Sequence, residues 1–298
     1  MTATVDVIVV NFNAGEALTQ CVRSALDQGP EVRLTVIDNA SSDNSIATLR
    51  TVVSANDRLK IMESTENPGF AAAVNTVART LRSSHQADAG HADCILVLNP
   101  DCELQAGALQ HMQAELVAHP QAALAAPTVV DKQGKVLKGT WRDFPTPWNS
   151  LMSFTGLWRL SRRFPSFRGV DHSQHPPSRV SLAQAVSGAC MLIRKEVFFE
   201  LGGMDEAYGL HCEDLDLMYR LQQAGHDCLF VPQARAVHQQ GVSSRSRPLW
   251  VHWQKHRGMQ RFFRKFQASD RSLPVRGLVL AGIWARFALT APLAILRR

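Results

Sequence analysis

The stretch CILVLNPDCEL, residues 94–104, joins a short apolar run to Asn-Pro-Asp, and this junction decides the fold that we expect. The apolar run predicts a buried strand, and Asp101 is the first carboxylate after it. An Asp in this position can cap a helix, and the polar pattern that follows is typical of one. It can equally belong to a binding site at the strand end. The stretch alone leaves both interpretations open.

Further apolar runs precede this one and are separated from each other by segments of helical length. The four runs are residues 5–10, 32–37, 59–62 and 95–98. Their alternation with helical segments predicts an α/β fold with a mostly parallel, Rossmann-like sheet flanked by helices. Ligands of such sheets bind beyond the carboxyl ends of the strands. Because polar residues follow three of the runs, at 11–13, 38–43 and 99–101, we expect them to face one crevice.

Charge is distributed unevenly along the 298 residues, although the composition, 45% hydrophobic and 19% charged, is typical of a globular protein. The formal net charge is +6. Residues 242–298 contain 12 basic side chains and one acidic side chain. Residues 1–241 hold 20 basic and 25 acidic side chains. Such a basic tail favours an anionic partner, either lipid or nucleic acid.

The cysteines and the N-terminus both indicate a reducing compartment. The six cysteines form no C-x-x-C pair, and several lie in apolar runs typical of buried free thiols. The pattern argues against a zinc site. The chain enters the apolar run VDVIVV, residues 5–10, without a basic region before it, so we expect no signal peptide and a cytoplasmic protein.

The second half of the chain contains a long irregular segment and an acidic helix. Residues 139–179, rich in Pro, Trp, Phe and Arg, predict a long functional loop or insertion. Residues 213–225, EDLDLMYRLQQAG, predict a helix that ends at Gly225. Its first-turn acids Glu213, Asp214 and Asp216 are favourable at any helix start. Since a Gly-rich loop precedes them, they are also candidates for a general base.

Asp101 and His238 are candidate metal ligands. A lone histidine after a strand is more often structural than catalytic. Together the two residues supply one oxygen and one nitrogen, which does not complete the shell of any metal. A diphosphate could complete it, as is common for Mg²⁺ or Mn²⁺ bound together with a substrate.

Taken in order, these motifs resemble those of family 2 glycosyltransferases with the GT-A fold, and among them bacterial rhamnosyltransferases. The matching stretches are VIVVNFN (7–13), VIDNASSDNS (36–45), ENPGFAAAVN (66–75), VLNPDCEL (97–104), SGACMLIRKEVF (187–198), GGMDEAYGLHCEDLDLMYRLQQAG (202–225) and AVHQQGVSS (236–244). Residues 252–266 also resemble the family's tail. The resemblance implies a GT-A catalytic domain at 1–244, with a nucleotide-sugar half at about 1–130 and an acceptor half at about 131–244. A basic, partly apolar helical tail at 245–298 would follow.

The resemblance implies a nucleotide-sugar site at the strand ends. Its residues would be Asn11, Phe12, Asn13, Asp38, Asn67, Gly69, Asn75 and Asn99. The first three would lie beside the nucleotide, and Asp38 would accept the imide N–H of uracil or thymine. Asn67, Gly69 and Asn75 would lie near the ribose and the diphosphate, although turn and cap roles remain open for each.

The resemblance also implies the catalytic groups. Asp101 would be the remaining acid of the D-x-D metal motif, with Asn99 in place of the first Asp, and His238 a second ligand for Mg²⁺ or Mn²⁺. One carboxylate fewer would make metal binding weaker and more dependent on the nucleotide. Asp214 would be the catalytic base, with Glu213 and Asp216 orienting it or the acceptor.

The implied reaction is an inverting sugar transfer without a covalent intermediate. We expect rhamnose from dTDP-rhamnose as the donor sugar and a saccharide or lipid-linked saccharide as the acceptor, in cell-surface polysaccharide synthesis. UDP-galactofuranose, UDP-glucose and UDP-N-acetylhexosamine remain possible donors. A non-catalytic sugar- or lipid-binding module is an alternative. A dinucleotide-binding oxidoreductase is disfavoured because VNFNAGEAL, residues 10–18, lacks G-x-G-x-x-G.

The tail leaves two interpretations open. Residues 273–296 are apolar but interrupted by Arg276, Arg286 and Pro292, so no uncharged run reaches the roughly 20 residues of a membrane span. An interfacial helix on an anionic membrane surface is one interpretation, with the protein peripheral on the inner face of the cytoplasmic membrane. A helix packed on the catalytic domain is the other. No nucleic-acid partner is expected, and the sequence gives no signal for the oligomeric state.

Overall fold

A mixed β-sheet covered by helices forms the centre of the protein in the computed structural model, which describes residues 4–53, 56–84, 92–241 and 247–296. The strands are β1 (Thr4–Asn11), β2 (Val32–Asn39), β3 (Leu59–Ser64), β4 (Ala92–Leu98), β5 (Cys102–Leu104), β6 (Ala122–Val130), β7 (Trp141–Arg142), β8 (Ser181–Leu182), β9 (Ala185–Val186), β10 (Cys190–Arg194) and β11 (Asp227–His238). The helices are α1 (Glu16–Leu26), α2 (Ser45–Val52), α3 (Phe70–Ser84), α4 (Ala108–Ala118), α5 (Pro147–Thr155), α6 (Lys195–Glu200), α7 (Glu213–Gln223), α8 (Pro248–Phe266) and α9 (Leu273–Leu296).

The order of strands in the main sheet is β3-β2-β1-β4-β10-β6-β11-β5, with β8 beside β11. The first four strands are parallel, as predicted, and their register places Asn11 opposite Asp38. Strand β10 lies antiparallel between β4 and β6, and β5 is antiparallel to β11. The sheet is therefore mixed in its second half, because an apolar run predicts a strand but carries no signal for its direction.

Two apolar layers cover the two faces of the sheet. Successive side chains of a strand point to opposite faces, so β1 sends Val7 and Val9 to one layer and Ile8 and Val10 to the other. The first layer includes α1 and α4, and the second includes α3 and α7. All six cysteines are free and buried. The site residues at the strand ends thus stand on a doubly covered sheet.

A short strand, not a helix, follows Asp101. Strand β5 pairs with the end of β11, and Cys102 lies opposite His238. Helix α4 begins only at Ala108, with Gly107 as its N-cap residue. The helix-capping interpretation of Asp101 is therefore wrong. The polar pattern after Asp101 is typical of a helix. The partner of this strand lies more than 130 residues away in the sequence, so no local pattern indicates the pairing.

Strand β11 continues past the apolar residues 228–231 as far as His238. Pro232 is accommodated by a shift in register between Val231 and Arg235. Since proline cannot donate a ladder hydrogen bond, such an irregularity is where it fits in a sheet. The result is that His238 ends a strand beside Asp101.

The irregular segment at residues 139–179, called the insertion below, is partly helical. Strand β7 pairs with β9, and α5 begins with a capping box in which the Thr146 hydroxyl accepts the N–H of Asn149 and Asn149 accepts that of Thr146. Two 3₁₀ helices follow, Leu157–Leu160 and Pro165–Phe167. The sequence Thr-Pro-Trp-Asn at 146–149 is typical of a helix start. The segment lacks helical periodicity, so no helix was predicted there.

Helix α8 packs directly against α7. Phe262 is buried in the same apolar layer as α7, and Lys265 Nζ donates to Asp216 Oδ2 at 2.6 Å. Arg261 and Lys265 also form ion pairs with Asp205. The predicted boundary at residue 244 falls within residues 242–246, which lie outside the described residues.

Asp216 offers a test of this packing, because its fully buried carboxylate pairs with both Arg220 and Lys265. Asp216→Ala would remove the carboxylate that pairs with Arg220 and leave Lys265 with Asp205 alone, so we expect the free energy of unfolding to fall by about 3 kcal/mol in urea titrations. The exposed tail variant Asp270→Ala should change it by less than about 0.5 kcal/mol. Equal stability of the two variants would show that this ion pair does not hold α8 in place.

Candidate active site

Asn11 and Asp38 contact each other at the ends of β1 and β2. Asn11 is fully buried, and its Nδ2 donates to Asp38 Oδ1 at 2.6 Å and to Ser45 Oγ at 2.8 Å. The Ser41 N–H donates to Asp38 Oδ2 at 2.9 Å. A carboxylate oxygen has two lone pairs, so Oδ2 retains one acceptor position. The carboxylate is thus held in a fixed orientation.

Asn13 holds the loop after β2. Its Oδ1 accepts the backbone N–H groups of Ser42 at 2.7 Å and Asp43 at 3.2 Å. Asn13 itself adopts a left-handed backbone conformation, with φ of 52°. Phe12 is half-buried at the same edge of the sheet. The contacts of Asn13 therefore shape the loop around Asp38.

Asn67 and Gly69 join the loop before α3 to the rest of this edge. Asn39 Nδ2 donates to Asn67 Oδ1 at 3.4 Å and to the Gly69 carbonyl at 3.3 Å. Gly69 has a φ of 95°, and a Cβ there would lie 3.1 Å from the Gly209 carbonyl oxygen. Only glycine combines this conformation with such a close approach. Gly69 thus brings the loops at 67–69 and 202–212 together.

Asn75 binds the loop at 202–212, whereas we expected it to lie near the ribose and the diphosphate. Its Nδ2 donates to the Met204 carbonyl at 2.8 Å and to Glu206 Oε1 at 2.9 Å. Its Oδ1 accepts the N–H of Met204 at 2.9 Å. Both N–H bonds of the amide are used, so Asn75 positions the loop at 202–212. We correct its assignment accordingly.

Asp101 and His238 lie together, as a shared metal site requires. Asp101 Oδ1 is 3.0 Å from His238 Nε2, and both side chains are largely buried. Carboxylate oxygen and imidazole nitrogen both bind Mn²⁺, and the carboxylate also suits Mg²⁺. Within the described residues, no group of three His, Cys, Asp or Glu side chains could hold a metal. The pair fits a divalent ion whose shell is completed by diphosphate oxygens and water.

Asp214 lies against the segment that joins β9 to β10. A Cβ on Gly188 would lie 2.7 Å from Asp214 Oδ2, so only glycine allows this approach. Arg142 Nη2 forms an ion pair with the same oxygen and donates to the Val186 carbonyl at 3.1 Å. The carbonyl oxygen of Ala189, the residue after Gly188, accepts the backbone N–H of Asn99 at 2.9 Å. Residues 187–189 therefore lie between Asp214 and the Asn99–Asp101 segment.

Glu213 is buried beside Asp214. Its Oε2 has no hydrogen-bond partner within the described residues. Burial, and secondarily the negative charge of Asp214, raise the pKa of the Glu213 carboxyl to about 8. The raised pKa favours the neutral, protonated form of Glu213 beside the candidate base.

Asp216 does not reach the acceptor side. It is fully buried, and its Oδ1 accepts from Arg220 Nε at 2.6 Å while Oδ2 accepts from Lys265. These contacts tie α7 to α8. The expectation that Asp216 orients the base or the acceptor is therefore corrected to a role in packing.

Within the described residues, left-handed backbone at non-glycine residues occurs only in the loops of this site. These residues are Asn13, Ala40, His211 and Cys212. Asn13 is itself a candidate residue, Ala40 lies two residues after Asp38, and the last two directly precede Glu213. Such conformations cost on the order of 1–3 kcal/mol each and concentrate at functional sites. The loop that enters α7 therefore contains two of them.

Sequence reasoning missed several residues that hold the site. Ser41 contacts Asp38 and Ser45 contacts Asn11, and both serines lie in the quoted motif at 36–45. Gly188 lies in the quoted motif at 187–198. Arg142 lies in the aperiodic insertion, where no local signal marks it.

Comparison with known proteins identifies the class. The sequence profile of the family described as "Glycosyl transferase family 2" matches residues 6–201. Because this match covers well over half of the 298 residues, the chain belongs to glycosyltransferase family 2. The predicted family is thereby confirmed, and the protein is a glycosyltransferase.

Two relatives indicate which kind of glycosyltransferase the chain resembles. The chain is 27% identical over 258 residues to the N-acetylglucosaminyl-diphospho-decaprenol L-rhamnosyltransferase of Mycobacterium tuberculosis (strain CDC 1551 / Oshkosh), which covers 82% of this chain and 78% of the relative. It is 31% identical over 81 residues, 26% of this chain and 31% of the relative, to the rhamnosyltransferase WbbL of Escherichia coli (strain K12). The predicted likeness to bacterial rhamnosyltransferases is confirmed.

A solved structure confirms the fold. The mannosyltransferase PcManGT from Pyrobaculum calidifontis, in complex with GDP-Man and Mn²⁺, matches 99% of this chain and 72% of its own with a TM-score of 0.58. Its sequence identity is 17%, so the likeness concerns the fold alone. The expected α/β GT-A fold with a C-terminal helical segment is thus confirmed.

Glu213 yields a pH-dependent prediction. The unfolded carboxyl has a pKa near 4.5 and the folded one about 8, so between these values the folded protein holds a proton that the unfolded chain has lost. The free energy of unfolding therefore falls as pH rises through this window. Glu213→Gln cannot titrate, so its melting temperature relative to the parent should rise steadily from pH 5 to about 8.

The control for this experiment is Glu196→Gln, which replaces an exposed glutamate on α6. Its melting temperature relative to the parent should stay constant with pH. A constant difference for Glu213→Gln as well would contradict the raised pKa of Glu213.

Proposed function

We propose that the protein is an inverting, metal-dependent glycosyltransferase that moves rhamnose from dTDP-rhamnose to a lipid-linked saccharide in cell-surface polysaccharide synthesis. The observation that carries the proposal is the position of Asp214, held by Arg142 against Gly188 on the edge that also holds Asp101 and His238. The names of the mycobacterial and WbbL relatives support rhamnose as the sugar.

Asp214 is the proposed base. Arg142 occupies Oδ2, so Oδ1 is the oxygen that takes the proton from the acceptor hydroxyl. As that proton leaves, the hydroxyl oxygen forms a bond to the anomeric carbon from the face opposite the diphosphate, and the bond from that carbon to the diphosphate breaks. The configuration at the carbon is inverted. No nucleophilic side chain is required.

Asp38, Asp101 and His238 bind the donor in this proposal. Asp38 Oδ2 accepts the imide N–H of thymine or uracil through its remaining lone pair. Asp101 and His238 would hold Mg²⁺ or Mn²⁺ together with the diphosphate. When bound, the ion would neutralise the charge that develops on the leaving diphosphate. The Mn²⁺ of the PcManGT complex supports a divalent ion in this fold.

The acceptor side of the proposal involves α9. This helix packs on α8, where Trp284 Nε1 donates to Gln260 Oε1 at 2.7 Å, and leaves Leu278 and Leu289 exposed. Leu273–Leu293 has the length and mean hydropathy, 1.3, of a membrane-crossing helix. Its two arginines and its packing on α8 favour an interfacial position on the inner face of the cytoplasmic membrane. A lipid-linked acceptor, as named for the mycobacterial relative, is available there.

Other donors compete with dTDP-rhamnose in this proposal. UDP-galactofuranose, UDP-glucose and UDP-N-acetylhexosamine fit the same imide-binding Asp38 and the same metal pair. A non-catalytic binding module is disfavoured because Asp214 and its Arg142 contact serve no purpose in binding a nucleotide alone.

Asp214→Asn tests the base. An amide cannot take the proton, so kcat for rhamnose transfer should fall about 10³-fold or more while the dissociation constant of the nucleotide stays unchanged. Transfer is measured with dTDP-rhamnose and a lipid-linked acceptor. The exposed variant Asp57→Asn should keep full activity. Parent-like turnover by Asp214→Asn would rule out this assignment.

Asp101→Ala tests the metal pair by calorimetric titration with thymidine, uridine and guanosine diphosphates, with and without Mg²⁺ or Mn²⁺. We expect metal-dependent binding of thymidine or uridine diphosphate, weakened at least about tenfold in the variant. The turn variant Asp131→Ala should bind as the parent does. If nucleotide binding were equally strong with and without metal, and equally strong in the variant, Asp101 would not belong to the metal site.

A further inference from the structure

A second apolar surface lies on the insertion. Trp148, Leu151 and Phe154 follow each other at intervals of three on α5, so they share one side of the helix, and they are 53%, 47% and 46% exposed. The exposed apolar series continues past the helix. We call the set the insertion face; it consists of Trp148, Leu151, Phe154, Leu157, Leu160 and Phe164.

The insertion face stands on an ordered scaffold. Met152, on the inner side of α5, is buried. Trp148 Nε1 donates to the Ser166 carbonyl at 2.6 Å, and the Val170 N–H donates to Ser153 Oγ at 2.9 Å. These bonds tie α5 to the end of the insertion. The apolar side chains are therefore held outward by a folded unit, and contiguous apolar exposure of this kind marks a binding surface.

The charges around the insertion face are mostly positive. Residues 144–170 contain four arginines and no acid, and one of the four, Arg168, pairs with Asp143 just before this range. Arg159 stacks on Trp158 with 5.2 Å to the ring centroid, and Arg163 on Phe164 with 5.7 Å. Such stacking places the guanidinium groups at the rim of an apolar surface. Apolar side chains rimmed by arginine are suited to acyl chains below anionic headgroups.

The insertion face adjoins the tail helix. Arg286 of α9 lies over the ring of Phe154, with 5.8 Å to its centroid. The exposed leucines of α9 thus continue the apolar surface of α5. At its other end, the insertion carries Arg142, which contacts Asp214. The same segment therefore connects this surface with the candidate base.

We propose that the insertion face is a membrane-docking surface whose partner is an anionic lipid bilayer. This docking proposal rests on the proposed function in one respect, namely that the acceptor is lipid-linked. The acceptor hydroxyl would then reach Asp214 from the bilayer side. Docking through the insertion adds a contact that the tail helix alone does not provide. The wider contact fixes the orientation of the protein on the membrane better than one helix would.

The test is co-sedimentation of the full chain with vesicles of phosphatidylcholine, with and without phosphatidylglycerol. Leu151→Ser combined with Leu160→Ser removes two exposed side chains without disturbing α9, and should weaken binding about tenfold or more. Arg159→Gln combined with Arg162→Gln should weaken binding to the anionic vesicles only, and more at low salt. Val117→Ser, which replaces a 76% exposed residue of α4, is the matched control.

Parent-like vesicle binding by the leucine variant, with an unchanged melting temperature, would overturn the proposal. Sedimentation velocity supplies a second check, since a dimer of the parent that the leucine variant abolishes, with vesicle binding unaffected, would make this surface an interface between copies. The proposed function is measured separately, by rhamnose transfer without vesicles to a detergent-dispersed acceptor. A chain that docks as expected but transfers no sugar would refute that function and leave the docking surface standing.

Discussion

The ion pair between Arg142 and Asp214 joins the parts of the candidate active site. Arg142 comes from the insertion and Asp214 from the first turn of α7, and the pair lies against Gly188 before β10. Both side chains are about four-fifths buried, and within the described residues Arg142 is the cation that pairs with this carboxylate. Burial and the charge of Asp214 raise the pKa of Glu213, which favours its neutral form. An ionised Glu213 would place a second carboxylate beside Asp214 in a desolvated site.

The rest of the structure keeps this arrangement rigid. The loop before α7 is tied at Met204 to Asn75, and at Asp205 to Arg261 of α8. Its last two residues have left-handed backbone conformations, which persist only where the surrounding contacts hold them. Helix α8 therefore supports the site although it follows the catalytic motifs in the sequence. Preorganised charges of this kind cost no reorganisation when the reaction occurs.

The sequence predicted the features that depend on local pattern. Apolar runs identified the parallel strands, and the acids before a terminal glycine identified α7. The ordered motifs brought Asp101 and His238 together, and the structure places them 3.0 Å apart.

Features that depend on distant partners could not be predicted in this way. Arg142 and Asp214 are 72 residues apart, and Asn75 and Met204 are 129 apart. Strand β5 and the burial of Asp216 likewise arise from contacts with β11 and α8. A carboxylate or an amide looks the same in the sequence whether it binds a ligand or a neighbouring loop, so Asn75 and Asp216 were assigned to the wrong partners. In the proposed function, the charge of the metal site would depend on such long-range contacts. One carboxylate and one imidazole would leave a divalent ion with a net charge of about +1, because Asn99 supplies no second acid. The nucleotide diphosphate would supply the remaining negative charge, so the ion and the nucleotide would each raise the affinity of the other by the same factor.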